Sequence, residues 1–321
     1  MDLYLPPPNA VHAGLRALKT IALADGDLDD AEQAFIESVQ HMFRTEVDVD
    51  ALALVEPDEL ARAVQGPELR RQLVRGLTVM VAMDGEVRLE EIAALEAFAS
   101  ALDVHADELR TFHELAEGRL MHVRFDVARR FWAREKGVEM AKHKGIKWLV
   151  SSLATVAGLH TDTSIAGRYR GLGACPSGSL GRGYFEFIEG NGFPFPGEKG
   201  SPPELIALHD LTHVLSGYGT DPEGELQVLS FHAGCRREEK DPFAFVLFGL
   251  AQFHLGVRLS PIAEGFHGRL NPDLALKALL RGKACSVDPT DGWDPWLEMD
   301  TPLDELRVRL EIPPLSAFEG W

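Results

Sequence analysis

Cysteine is scarce in this 321-residue sequence: Cys175, Cys235 and Cys285 lie far apart, odd in number and without a CxxC pair. They offer no cysteine zinc site and suit a reducing compartment. Positive charge is in deficit as well. A net charge of -18 argues against nucleic acid as a partner. Long apolar runs are missing. The longest, Phe243 to Leu255, is interrupted by Gln252 and His254 and is too short to span a bilayer. The opening MDLYLPPPN has no basic region followed by an apolar core, so no secretory signal is read there. A soluble, cytoplasmic protein is expected. Its apolar fraction of 45% is ordinary for globular protein, and its length suits two domains.

What is present centres on Leu208-His209-Asp210-Leu211-Thr212-His213, followed by Glu225. Two histidines four apart share one face of a helix. A carboxylate facing them completes a divalent-metal set. Ser201-Pro202-Pro203-Glu204 has capping-box spacing and predicts a helix from about Pro202, ending at Gly217. Thr220-Asp221-Pro222-Glu223 repeats the start signals, so a second helix begins near Pro222. The two form a hairpin around Gly219. His213 lies six residues before that centre and Glu225 six after, so they should face each other. In a chain of this composition, chance supplies such a pattern about 0.01 times.

Residues 10 to 115 read as helices, broken at Gly26, Pro57, Gly66-Pro67 and Gly85. One unit occurs twice, with Asp25-Gly26 and Glu32 in the first copy and Asp84-Gly85 and Glu91 in the second. Asp29 and Glu32 have capping-box spacing; Arg88 stands at the equivalent cap position. The acids could hold a hard cation, or serve only as helix ends and starts; with no EF-hand loop, composition favours the latter. These units resemble the tellurite-resistance TerB-like family. The resemblance implies an all-helical sensor or accessory domain over residues 1–118, with a second metal at Asp25, Glu32, Asp84 and Glu91.

From Arg119 to Lys147 the balance reverses, with nine Lys or Arg against three Asp or Glu. Leu120, Val123, Val127 and Phe131 repeat at helical spacing, and Trp148 opens an apolar stretch to Leu159. This connector, 119–160, could rest peripherally on an anionic membrane surface. The acidic remainder of the chain is the readier partner.

Residues 161–321 form the remaining domain. Ten glycines between 166 and 200 indicate a long loop region with one helical candidate, Gly181 to Ile188. Cys175 to Tyr184 is glycine-rich but matches no phosphate-binding pattern. Pro242 to Val257 reads as a helix apolar on most sides, so buried or lining a greasy groove. His232 lies on the side of Glu225. His254 and His267 read as satisfied core or surface histidines. The HDxxH motif with Glu225, preceded by Gly178-Ser179-Leu180-Gly181-Arg182 and Tyr184 and closed by a tryptophan/Pro-Leu/Arg tail, resembles the ubiquinone (coenzyme Q) biosynthesis family of the fourth Coq protein. The likeness runs from Gly167 to Ile312. It implies an all-α fold, a divalent metal at His209, Asp210, His213 and Glu225, and a groove for a prenyl chain. The metal is usually described as zinc. The family organises a ring-modifying complex of quinone-biosynthesis proteins on the membrane and is associated with oxidative removal of the ring carboxylate from a prenylated hydroxybenzoate. The prenylated aromatic or quinone lipid would then meet Arg182, Tyr184 and His232.

Asp210 has three readings: ligand, general base, or orienter of a metal-bound water. The donors admit manganese, cobalt or iron besides zinc, and a redox metal suits oxidative decarboxylation. A non-catalytic prenyl-lipid scaffold with a structural metal is the second class of function. An HD-type phosphohydrolase is the third, and it would have to recruit His160 and Asp221.

Overall fold

A computed structural model describes residues 1, 3–105, 109–130, 137–139, 142, 151, 154–259 and 264–319. The fold is all-α. No β-strand occurs among the described residues, only isolated bridges such as Ser179 with Pro302. No described helix is long and apolar enough to cross a membrane. The chain divides into two compact units, Met1–Arg129 with Val246–Ala278 and Phe318–Trp321, and Arg130–Phe245 with Leu279–Ala317. The division therefore cuts across the linear boundaries expected from the motifs. Part of the basic connector, including Phe131 and Trp148, lies outside the described residues.

The first unit is built from α1 (Pro8–Ala22), α2 (Asp30–Met42), α3 (Pro57–Ala63), α4 (Pro67–Met80), α5 (Leu89–Ala101), α6 (Leu109–Ala116) and α7 (Leu120–Arg130). Prolines open α1, α3 and α4, where the missing N–H costs nothing. Helix α1 is central and packs on α2, α3, α4 and α5 through Leu15, Leu18 and Ile21. Residues 43–56 are not helical, a break the sequence reading did not anticipate. Side chains of α1 replace the helical hydrogen bonds there. The buried Lys19 Nζ donates to the carbonyls of Val49, Asp50 and Leu52 at 2.8, 3.0 and 3.0 Å, and Thr20 Oγ1 accepts from Val55 N. A buried ammonium surrounded by carbonyl dipoles is solvated by the fold. In α7, Val123 and Val127 are buried while Leu120 is exposed.

The second unit contains α8 (Thr163–Gly171), α9 (Leu180–Gly190), α10 (Ala207–Ser216), α11 (Pro222–Cys235) and α14 (Leu303–Arg309). Helices α12 (Phe243–Gly249) and α13 (Pro272–Ala284) each straddle the division. The glycine-rich region is thus more helical than expected, because Asp162 caps α8 and Ser179 caps α9. The predicted apolar helix over 242–257 is shorter: α12 passes at Leu250 into a π-helical turn ending at His254. Val246 and Phe248 are its half-buried side chains; Phe243, Phe245, Leu247, Leu250 and Phe253 are buried. His254 is a satisfied core histidine, with Nε2 3.0 Å from Met83 O and Nδ1 accepting from Leu270 N.

Candidate metal centre

Helix α10 does not start at Pro202. Pro203 follows directly, and a residue before proline is driven to extended backbone. Pro203 is itself extended, a 3-10 turn at Glu204–Ile206 follows, and α10 begins at Ala207. Ser201 Oγ accepts from Gly197 N instead of capping. The other end matches the expectation. Gly217 takes φ +81°, the left-handed cap that glycine adopts without strain. Asp221 caps α11, its carboxylate accepting from Glu223 N and Gly224 N at 3.1 Å each. Gly224 has no room for a side chain, since a Cβ there would lie 2.2 Å from Gly219 O. That close approach fixes the register that brings the next residue, Glu225, onto the histidines.

The donors converge. His209 Nε2 lies 3.1 Å from Glu225 Oε2, His213 Nε2 lies 3.5 Å from Glu225 Oε1, and the two ring nitrogens are 3.2 Å apart. Donors around a tetrahedral ion with bonds of about 2.0–2.1 Å are about 3.3 Å apart, so the spacing fits. Two imidazole nitrogens and a carboxylate at this distance repel unless a proton or a cation lies among them. His213 Nδ1 faces the Tyr218 carbonyl at 3.3 Å. A ring N–H donated there leaves Nε2 unprotonated toward the site, the outer-sphere arrangement usual for a metal-binding histidine. His213 is buried, whereas the side chains of His209 and Glu225 keep 16% and 21% exposure, so the site is approachable from one side.

The electrostatics follow. Burial raises the Glu225 carboxyl, but hydrogen bonds and charge from His209 and His213 prevail and hold it at about 2. Burial lowers His209, and Glu225 with Asp210 reverses this to a net rise. Asp210 is pushed up to about 6, by burial first, with His209 and His213 opposing and Glu225 assisting. Among the described residues the converging donor group is His209, His213 and Glu225; Asp210 lies beside it rather than in it.

Three further side chains surround the centre. Tyr184, on α9, is fully buried, and its hydroxyl has no hydrogen-bond partner among the described residues. Burial pushes its phenol well up, and the charge of Asp210 adds to this. Phe187, one turn on, stacks on His213 at 5.4 Å. His232 is fully buried between His209 and Phe245, stacked at 5.6 and 5.0 Å, with neither ring nitrogen hydrogen-bonded among the described residues. Burial, then the charges of His209 and His213, keep it neutral. Arg182 is committed elsewhere: Nη1 donates to Gly173 O at 2.6 Å and Nε to Glu186 at 2.7 Å. The glycines around it serve packing, since a Cβ on Gly181 would meet Cys175 Sγ at 2.8 Å and Met299 O at 2.9 Å.

Arginines of the carboxy-terminal tail and of α13 hold the end of α10, a role the motifs did not indicate. Arg307 donates to the Val214 and Leu215 carbonyls at 3.0 and 2.9 Å, and buried Arg281 to Ser216 O at 3.0 Å. Two guanidiniums thus bind the last carbonyls of α10, where the helix dipole is negative.

The four acids of the Asp-Gly units form no converging donor set. Their cation is internal. The Arg88 guanidinium pairs with Asp84, lies 3.3 Å from Asp25 and 2.9 Å from Glu86. Glu32 and Glu91 are capping glutamates, accepting from Asp29 N and Arg88 N. His160 is exposed and Asp221 is occupied as a helix cap, so neither joins His209 and Asp210 as a phosphohydrolase would require. No protein-family model, curated protein or solved structure matches the chain.

Proposed function

We propose that this is a metal-containing protein of quinone biosynthesis that acts on a prenylated aromatic head group, by decarboxylation or hydroxylation of the ring, at a zinc-type centre. The convergence of His209, His213 and Glu225 carries the proposal. Three protein donors match catalytic sites, which keep one position open, better than structural sites, which fill four. This favours the enzyme over a scaffold with a structural metal. The prenyl chain and the other quinone-biosynthesis partners rest on the sequence resemblance alone.

A metal held by His209, His213 and Glu225 would supply Lewis-acid polarisation of a phenolic or carboxylate oxygen, or redox chemistry if the ion were redox-active. The chain's own groups do the rest. His209, His213 and Glu225 would hold the ion, and the Tyr218 carbonyl faces His213 Nδ1 and so orients the ring. Asp210, with its carboxyl near 6, is placed to accept a proton near neutral pH. Neutral His232 and the Tyr184 hydroxyl bring unspent hydrogen-bonding capacity to the head-group side.

Metal analysis of the purified chain tests the reading directly. One equivalent of divalent metal is expected, falling at least tenfold in His213→Ala. Asp210→Asn should keep the metal and lose turnover of a prenylated hydroxybenzoate by about 10²-fold or more. Metal retained in His213→Ala refutes the centre. No turnover by the metal-loaded wild type on any prenylated aromatic acid refutes the enzyme and leaves the scaffold.

A further inference from the structure

A second chemical feature lies at the far end of α11, away from the donors. Cys235 is the last residue of the helix that carries Glu225 and His232, and Cys285 directly follows α13. The two thiols are close enough to affect each other's protonation, Cys235 being raised and Cys285 lowered. Both are partly exposed, and the structure holds them as free thiols. The backbones around them are in contact. A Cβ on Gly234 would lie 2.2 Å from Leu279 O and 2.6 Å from Lys283 N, and one on Gly282 would lie 2.0 Å from Phe231 O. Glycine at both positions lets the two chain segments approach without side chains between them. Disulfides need Cα atoms roughly 4.4–6.8 Å apart, so they form only between chain segments that approach closely. Arg236, next to Cys235, donates to Thr290 Oγ1 at 3.2 Å and so holds the loop after Cys285 in place.

We propose that Cys235 and Cys285 are a thiol–disulfide modification site, oxidised by a low-molecular-weight disulfide. Cys285 is the attacking group, because the neighbouring Cys235 thiol lowers its pKa against the opposing effect of burial. Its thiolate attacks one sulfur of the small disulfide, expelling the first small thiolate and forming a mixed disulfide. Cys235, whose pKa burial raises, gives up its proton and attacks Cys285 Sγ, expelling the second. Two protein thiols and one small disulfide thus become one protein disulfide and two small thiols. The new bond ties the end of the Glu225 helix to the segment after α13. Cys175 takes no part.

The test is to treat the folded, full-length protein with oxidised glutathione, block remaining thiols with an alkylating agent, and map the peptides by mass spectrometry. The intact mass should fall by two hydrogens, one alkylatable thiol should remain at Cys175, and a linked Cys235–Cys285 peptide should appear and vanish on reduction. Cys175→Ser should behave as wild type, whereas Cys235→Ser and Cys285→Ser should stop at the mixed-disulfide or thiol stage. The mapping on wild-type protein needs no variant to fold. Three alkylatable thiols after oxidation, a link through Cys175, or only bonds between chains would overturn the proposal.

Discussion

The acids of the Asp-Gly units show how far single residues answer to their neighbours. Burial pushes Glu91 to about 8 and Glu32 to about 7, and the charges of Asp84 and Asp25 add to both. The Arg88 and Asp29 backbone N–H groups oppose the rise. With folded values above the unfolded 4.5, the native state holds protons that the unfolded chain releases. The stability this contributes is full below about pH 4.5 and is lost as pH rises through about 7 to 8. Thermal or urea unfolding of Glu91→Gln should therefore show a flatter loss of stability across that window than wild type. The difference in slope should approach about 1.4 kcal/mol per pH unit, and parallel curves would show that Glu91 is not protonated in the fold. The sequence displayed these acids and their spacing. It did not display that Arg88, a poor cap by residue type, serves instead as the cation between the two repeats. That pairing depends on which side chains the packing of α1 to α5 brings together. His232 was legible only as lying near Glu225; its stacking between His209 and Phe245 is a tertiary fact.

At the scale of elements, the hairpin was the most legible part, because its signals are local. Gly217 ends α10, Asp221 starts α11, and an equal count from Gly219 puts His213 opposite Glu225. The errors came where neighbours compete. Pro203 cancelled the start at Pro202, the π-helical turn shortened the apolar helix, and α1 side chains drew residues 43–56 out of helix. None of these is visible in hydrophobic period alone. Gly224 offers the sharpest element-level test. In Gly224→Ala the new methyl would meet Gly219 O at 2.2 Å, forcing the hairpin apart and moving Glu225. A loss of about 1–3 kcal/mol in unfolding free energy is expected, together with at least tenfold weaker metal binding by titration. Unchanged affinity would mean that the turn does not set the register. Arg307→Ala should cost about 1–2 kcal/mol by unbinding the α10 carbonyls, with the metal retained.

For the whole molecule, sequence reading reached the fold class but not the partition. Helices were legible from caps and periodicity over residues 10 to 115 and in the hairpin, while an all-α fold for the remainder was what the family resemblance implied. Val246–Ala278 groups with the amino-terminal helices. The hairpin also bears on how the chain reaches its native state. His209 and Glu225 are only 16 positions apart, so the donors meet by closing a short loop rather than by assembling distant segments. Such closures take microseconds or less, well ahead of long-range docking. A divalent ion present from the start can therefore be captured early and act as a nucleus. Stopped-flow refolding with zinc should be faster than with chelator, the gain appearing in the folding limb of the chevron as well as in slower unfolding. If zinc changes the unfolding limb alone, the ion arrives only after the hairpin has been buried.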